Sequence, residues 1–291
     1  MIGLDDEVQA ASVRRTAARY PLHGWAGIVL ALCGWSLNWG LDGLRTHVFF
    51  FPMWLGYALA VDGLVFTRRG ESPVARSGQE LAWLFVASVP VWWLFELFNL
   101  RTNNWTYNGA EVFSDLAYVV LASVAFSTVM PAVFVTAELV RSFGWVDRMS
   151  SGPRIPRSWL TATGFFVAGW VLVALIMIWP DVFYPFVWGS MFCLIEPLNI
   201  WLGRPSLFDH LDRRNWRPVV SVALGALICG FFWEFWNFYS FPKWTYRTPG
   251  AQFLHVFEMP LLGYIGYLPF GLELLAVGYL LRGKALNVNI T

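Results

Sequence analysis

Two short stretches of the chain, WLFELFNLRTNNWTY at 93–107 and FWEFWNFYSFPKWTY at 232–246, set groups capable of chemistry among apolar residues. Each reads Glu-x-x-Asn and then Trp-Thr-Tyr: Glu96, Asn99, Trp105 and Tyr107 in the first, Glu234, Asn237, Trp244 and Tyr246 in the second. On a helix, positions i and i+3 share a face, so each glutamate and its asparagine point the same way. A carboxylic acid kept from water among indole and phenol rings holds its proton and can serve as a general acid. Aromatic faces around it stabilise a cation. Together they suit protonation or isomerisation of an isoprenoid double bond, and the same box fits a quaternary ammonium headgroup or the face of a sugar. The competing reading is a clasp: Glu and Asn at a helix end tie down the returning loop through its backbone, and Trp and Tyr sit at a bilayer interface for their amphipathic rings.

The second stretch has the richer surroundings, with Trp233, Trp236, Tyr239 and His255 nearby and then Glu258, Tyr264, Tyr267 and Glu273 in FEMPLLGYIGYLPFGLE. The candidate catalytic acids are therefore Glu234, Glu258 and Glu273. The candidate substrate-binding residues are Glu96, Asn99, Trp105, Tyr107, Trp233, Asn237, Trp244 and Tyr246. Asp62, Glu138 and Glu196 form a second acidic layer, expected to pair with arginines such as Arg68, Arg141 and Arg204. Cys33, Cys193 and Cys229 are expected to be inert buried thiols, since they make no C-x-x-C pair. The histidines His23, His47, His210 and His255 are scattered, so no metal site and no cofactor is predicted.

These residues need elements to hold them, and composition says what kind. Hydrophobic residues make up 57% of the 291 and charged residues 13%, with a mean hydropathy of +0.52. A soluble globule of this make-up would be covered in apolar surface, so lipid is the expected solvent and nucleic acid is not an expected partner. Apolar windows predict an all-α integral membrane protein with about eight transmembrane helices near 24–40, 50–66, 81–98, 114–140, 159–179, 183–202, 218–237 and 256–281. Glu96 and Glu234 then stand near the ends of the third and seventh helices, and Asp115 and Glu258 open the fourth and eighth. Arg14, Arg15 and Arg19 precede the first apolar run without a small-residue cleavage site, so that run is expected to be a retained anchor.

The basic residues test the count. Eight spans place only Arg45, Arg101, Lys243 and Arg247 on one side and every other Lys and Arg on the opposite side. The rich side is cytoplasmic by the positive-inside rule, which puts both termini in the cytoplasm of a bacterial-type inner membrane.

The two stretches belong to a longer internal repeat. Glu96 and Glu234, Asn99 and Asn237, and Pro131 and Pro269 each lie 138 residues apart, while Trp54 and Asp62 match Trp188 and Glu196 at 134. The expected organisation is a cytoplasmic segment at 1–23, a four-helix repeat at 24–140, a cytoplasmic linker at 141–158, a second four-helix repeat at 159–281 and a tail at 282–291. An even number of helices per repeat gives both the same orientation, so a pseudo-twofold axis along the membrane normal is expected.

Trp-Glu-x-x-Asn, then Trp-x-Tyr, then a helix with Pro followed by an acid resembles the tandem membrane domains of the heterodimeric and bifunctional lycopene (carotenoid) cyclases. The resemblance covers mainly 92–131 and 233–273, and here Glu273 stands alone, four residues after Pro269, where that family carries paired acids. It implies a cyclase or isomerase acting on an isoprenoid, with Glu234, Glu258 and Glu273 as acids and Trp244 and Tyr246 lining the site. Two other classes fit the sequence. One is a transporter or channel built from the repeats; the other is a noncatalytic subunit, scaffold or assembly factor whose aromatic surface, rich in the chain's 18 Trp, meets a membrane-protein partner.

Overall fold

The computed structural model describes residues 18–290, so Arg14 and Arg15 of the expected basic segment lie outside the described residues. The chain is built from helices α1 (Leu22–Gly40), α2 (Thr46–Arg69), α3 (Pro73–Arg76), α4 (Gly78–Thr102), α5 (Asp115–Phe126), α6 (Val129–Arg141), α7 (Trp159–Ile178), α8 (Pro180–Phe183), α9 (Val187–Trp201), α10 (Leu207–Leu211), α11 (Arg217–Asn237) and α12 (Tyr267–Arg282). Local sequence sets several of the boundaries. Ser77, Ser114 and Ser158 cap α4, α5 and α7 by accepting backbone N–H groups. Gly70 and Gly283 end α2 and α12 in the left-handed region.

Among the described residues, six segments are long and apolar enough to cross a membrane: Thr46–Arg69, Gly78–Thr102, Asp115–Arg141, Trp159–Ile178, Arg217–Asn237 and Leu261–Arg282. The protein is thus a multi-pass membrane protein of α-helices. Two of the eight expected spans are not among the six. Helix α9 has only 15 residues, and α1 dilutes its apolar side chains with His23, Asn38 and four glycines.

Two expected helices are interrupted. The stretch 114–140 breaks at Ser127 and Thr128 into α5 and α6, and the buried Ser88 serves both broken ends, donating to the Phe126 carbonyl (2.6 Å) and accepting from the Met130 N–H (3.1 Å). Ser88→Ala is expected to cost about 1–3 kcal/mol, because two buried backbone groups lose their partner; thermal unfolding in detergent checks it. The stretch 256–281 is helical only from Tyr267. Before it run a small ribbon, His255–Val256 against Met259–Pro260, and a 3₁₀ turn at Leu261–Gly266, where Pro260, Gly263 and Gly266 disfavour regular α-helix. Glu258, expected to open a helix, lies instead in the turn of that ribbon.

Small residues let the helices approach closely. A Cβ added to Gly56 of α2 would stand 2.4 Å from the Ala31 nitrogen of α1 and 2.7 Å from the Gly27 carbonyl. Helix α6 packs between α2 and α11, α12 between α9 and α11, and α7 lies against α9 with Trp159, Leu160, Val167 and Trp170 exposed. Exposed apolar residues on such a helix face lipid. Cys33 lies on the exposed face of α1, and only Cys229 of the three thiols is fully buried.

The second acidic layer differs from the expected arginine pairs. Glu138 does form an ion pair, but with Arg76, and it also accepts the Asn289 N–H. Asp62 instead accepts from the Ser72 hydroxyl (2.6 Å) and the Val74 N–H (2.9 Å) and meets His23 (2.8 Å). Glu196 accepts from the Ser206 hydroxyl (2.6 Å) and from the Leu207 and Phe208 N–H groups. Both carboxyls hold the first turn of a short helix, α3 or α10, where free N–H groups attract an acceptor. Arg68 binds Ser142, and Arg204 binds the Leu280 carbonyl.

Candidate functional site

Helices α4 and α11 each end in a Glu-x-x-Asn turn, and the asparagine of each fastens the following strand. Asn99 donates to the Trp105 carbonyl (2.8 Å) and accepts from the Asn104 and Trp105 N–H groups (2.9 and 3.2 Å). Asn237 likewise donates to the Trp244 carbonyl (2.7 Å) and accepts from the Trp244 N–H (3.0 Å). The asparagines are clasps, as one reading of the sequence proposed. The strands they hold, Trp105–Asn108 and Lys243–Tyr246, pair antiparallel, with Trp105 opposite Tyr246, Tyr107 opposite Trp244 and Thr106 opposite Thr245.

Pairing the strands brings both glutamates behind one aromatic wall. Glu96 Oε1 accepts from Trp92 Nε1 (2.9 Å), Trp105 Nε1 (3.0 Å) and the Tyr107 hydroxyl (2.6 Å). Glu234 Oε1 accepts from the hydroxyls of Tyr246 (2.6 Å) and Tyr267 (2.8 Å), with Trp244 Nε1 at 3.4 Å. Glu234 has no exposure at all, and its Oε2 has no hydrogen-bond partner. Glu96 is half-buried.

The rings that hold the two carboxyls line a cavity of about 170 Å³. Its walls include Trp92, Trp105, Tyr107, Trp188, Trp233, Trp244, Tyr246 and Tyr267, completed by His47, Phe50, Phe51, Phe113, Tyr118 and Ala122. Its rim includes the exposed Val124. Neither glutamate touches the space, so a ligand would meet the phenols and indoles with a carboxyl behind them. Enclosure, and then the neighbouring carboxyl, push the Tyr107 and Tyr246 hydroxyls well above the ordinary phenol range, so both keep their protons.

The other two candidate acids stand elsewhere. Glu258 is ion-paired with Lys243, whose side chain lines the cavity. Glu273 is buried and accepts the Met191 and Phe192 N–H groups (3.1 and 3.3 Å) near the start of α9. Neither contributes to the cavity wall. Of the predicted binding residues, Trp105, Tyr107, Trp233, Trp244 and Tyr246 line the space, whereas Glu96, Asn99 and Asn237 support it from outside.

Sequence reasoning missed several wall residues, including Trp92, His47, Phe50 and Tyr118. Trp92 alone carried a usable signal, one turn before Glu96 on the same face. His47, Phe50 and Tyr118 come from α2 and α5, and only tertiary packing brings them to the strands.

Comparison of the chain with known protein families, with curated proteins and with solved structures finds no match. What the chain defines on its own geometry is a polytopic membrane protein of helices with an aromatic cavity backed by two carboxyl groups.

Proposed function

We propose that this protein binds one isoprenoid or similarly apolar ligand in the aromatic cavity and shifts its double bonds by acid catalysis, with Glu234 as the acid. The observation that carries this reading is the composition of the wall: phenols hydrogen-bonded to the two carboxyls behind them, set among indole faces, in a mostly apolar space whose other polar side chains are Thr46, His47, Tyr118 and Lys243. Its volume suits one six-membered ring or a terminal isoprene unit, since a 150 Å³ apolar cavity takes benzene. Phenol hydroxyls would supply the proton, and the faces of Trp105, Trp188, Trp233 and Trp244 would stabilise the resulting cation.

The reading includes an organisation. Eight membrane segments, α1 and α9 among them, form two parallel four-helix repeats related by a pseudo-twofold axis, with both termini in the cytoplasm of a bacterial-type inner membrane. Corresponding residues with corresponding bonds support it: Glu96 and Glu234, Asn99 and Asn237, and Asp62 with Ser72 against Glu196 with Ser206. Thr106 and Thr245, which correspond in the two stretches, lie opposite each other in the ribbon, as a twofold axis between the strands requires. The resemblance to the lycopene cyclases points to the same substrate class.

The test is binding of an acyclic polyene to purified protein in lipid nanodiscs, followed by quenching of tryptophan emission. Saturable quenching is expected, and Ala122→Trp, which fills the space, is expected to weaken it about tenfold, equivalent to about 1.4 kcal/mol. Equal titrations for the two proteins would remove the cavity as the ligand site.

A further inference from the structure

The two glutamates differ in what completes their hydrogen bonding, and the difference is an exchange between two helices. At the repeat offset of 138, Trp92 corresponds to Gly230 and Val129 to Tyr267. In the first half the third donor comes from the helix that bears the glutamate: Trp92 Nε1 binds Glu96, and Val129 also lines the cavity. In the second half it comes from the following helix: Tyr267 binds Glu234. Gly230 is what admits the ring, because a Cβ at that position would stand 2.3–2.6 Å from Tyr267 ring carbons. A large residue at one position thus goes with a small one at the other, in both halves.

The exchange keeps an aromatic ring against each carboxyl but changes the chemistry. An indole N–H donates and accepts nothing, and it cannot pass a proton on. A phenol both donates and accepts. Glu234 therefore has two hydroxyls, Tyr246 and Tyr267, on one oxygen, both in the cavity wall, whereas Glu96 has one hydroxyl and two indoles. When Glu234 carries its proton on that oxygen, the acid hydrogen occupies one of the two contacts and frees that phenol to turn its own hydrogen towards the ligand.

Resting on the acid-catalysis reading above, we infer that Tyr267, admitted by Gly230, is the catalytic residue that delivers the proton from Glu234 to the ligand, and that the Glu96 half only binds. In the forward step the Tyr267 O–H bond breaks as a C–H bond forms on one alkene carbon, using the π electron pair and leaving a carbocation. The Glu234 proton passes to the Tyr267 oxygen, leaving a carboxylate. Loss of a proton from a carbon next to the cation restores a double bond, one position along or after ring closure, and that proton returns through Tyr267 to Glu234. No oxidant or reductant is consumed.

The experiment uses the full-length protein in nanodiscs made up in D₂O, with an acyclic polyene as probe. Deuterium incorporated into the polyene is read by mass spectrometry, and binding by tryptophan quenching. Wild-type protein is expected to label the polyene. Tyr267→Phe, which keeps the ring, is expected to bind within about threefold of wild type and to label at least about 100-fold more slowly. The double variant Gly230→Trp with Tyr267→Val copies the first half; it is expected to melt well above the Gly230→Trp single variant and to lose labelling in the same way. Labelling by Tyr267→Phe at the wild-type rate, with binding intact, would overturn the assignment of Tyr267 and leave the binding reading standing. Wild-type protein that neither binds nor labels the polyene would overturn both.

Discussion

Glu234→Gln is expected to slow turnover of an isoprenoid probe by about 10²–10⁴-fold, the usual contribution of a general acid, while binding stays near that of wild type and stability falls by no more than about 1–3 kcal/mol. The substitution is close to isosteric. The amide oxygen still accepts from Tyr246 and Tyr267, while the amide nitrogen takes the place of the unpartnered Oε2 and leaves its N–H groups without an acceptor, a modest cost in stability. The bonds to the two phenols stay, and the ability to give up a proton goes. Glu234→Leu is a different experiment, because it strands buried hydroxyls and is expected to cost stability as well. The other acids form the internal comparison. Glu273→Gln keeps an oxygen for the Met191 and Phe192 N–H groups and is expected to change turnover little. Glu258→Gln breaks the ion pair with Lys243 at the cavity wall, so its effect should fall on binding. If the Glu234 and Glu273 amides turned over the probe equally fast, no proton would be coming from the carboxyl behind the phenols, and the acid mechanism would be wrong.

The residues of this site were legible in the sequence to the extent that their geometry is local. Glu-x-x-Asn reads directly, because the i to i+3 spacing on a helix end fixes both side chains on one face, and the asparagine bonds follow from the loop returning within eight residues. The aromatic character of the site was also legible, since Trp and Tyr recur in both stretches. What was not legible depends on contacts between distant elements. Nothing in WTY and KWTY says that these strands pair with each other; 135 residues separate Asn108 from Lys243 and 141 separate Trp105 from Tyr246, and only packing of α6 against both α4 and α11, with α4 against α12, brings them together. The role of Asp62 and Glu196 was hidden for the same reason. Arginines stand nearby in sequence, but the nearer unmet demand is the N–H groups of α3 and α10, ten to twelve residues on. Glu258 was placed on a helix because the apolar window ran through it, and hydropathy does not register that Pro260, Gly263 and Gly266 disfavour a regular helix there.

The exchange between Trp92 with Val129 and Gly230 with Tyr267 stands between these cases. Each pair is visible once the offset is known, yet its meaning needs coordinates, because a glycine opposite a tryptophan reads as drift until the Tyr267 ring is seen in the space. On the proposed reading the two stretches share the work: each asparagine holds its own strand, and the hydroxyl content of the wall would separate a proton-delivering side from a binding side.

Gly271→Val is expected to be among the most damaging single substitutions in the chain, with a loss of about 3 kcal/mol or more and poor recovery of folded protein. A Cβ at Gly271 would lie 2.3 Å from the Val222 carbonyl oxygen and 2.7 Å from its carbon, so backbone, and not a flexible side chain, has to yield. Overpacking a closed core commonly costs about 1–3 kcal/mol, and more when no side chain can move aside. The effect should reach the site, because Gly271 sits one turn from Tyr267 on α12 and Val222 is on α11, the helix that carries Glu234. Holding those helices apart lengthens the 2.8 Å contact between Tyr267 and Glu234. Gly189→Ala supplies the control, since the nearest atom to its added Cβ is Pro269 Cβ at 3.6 Å, an ordinary contact. Melting temperatures of the three proteins in one detergent decide the matter: a Gly271→Val protein as stable as Gly189→Ala would mean that α11 and α12 do not touch where the geometry puts them, and the proton path between Glu234 and Tyr267 would go with that contact.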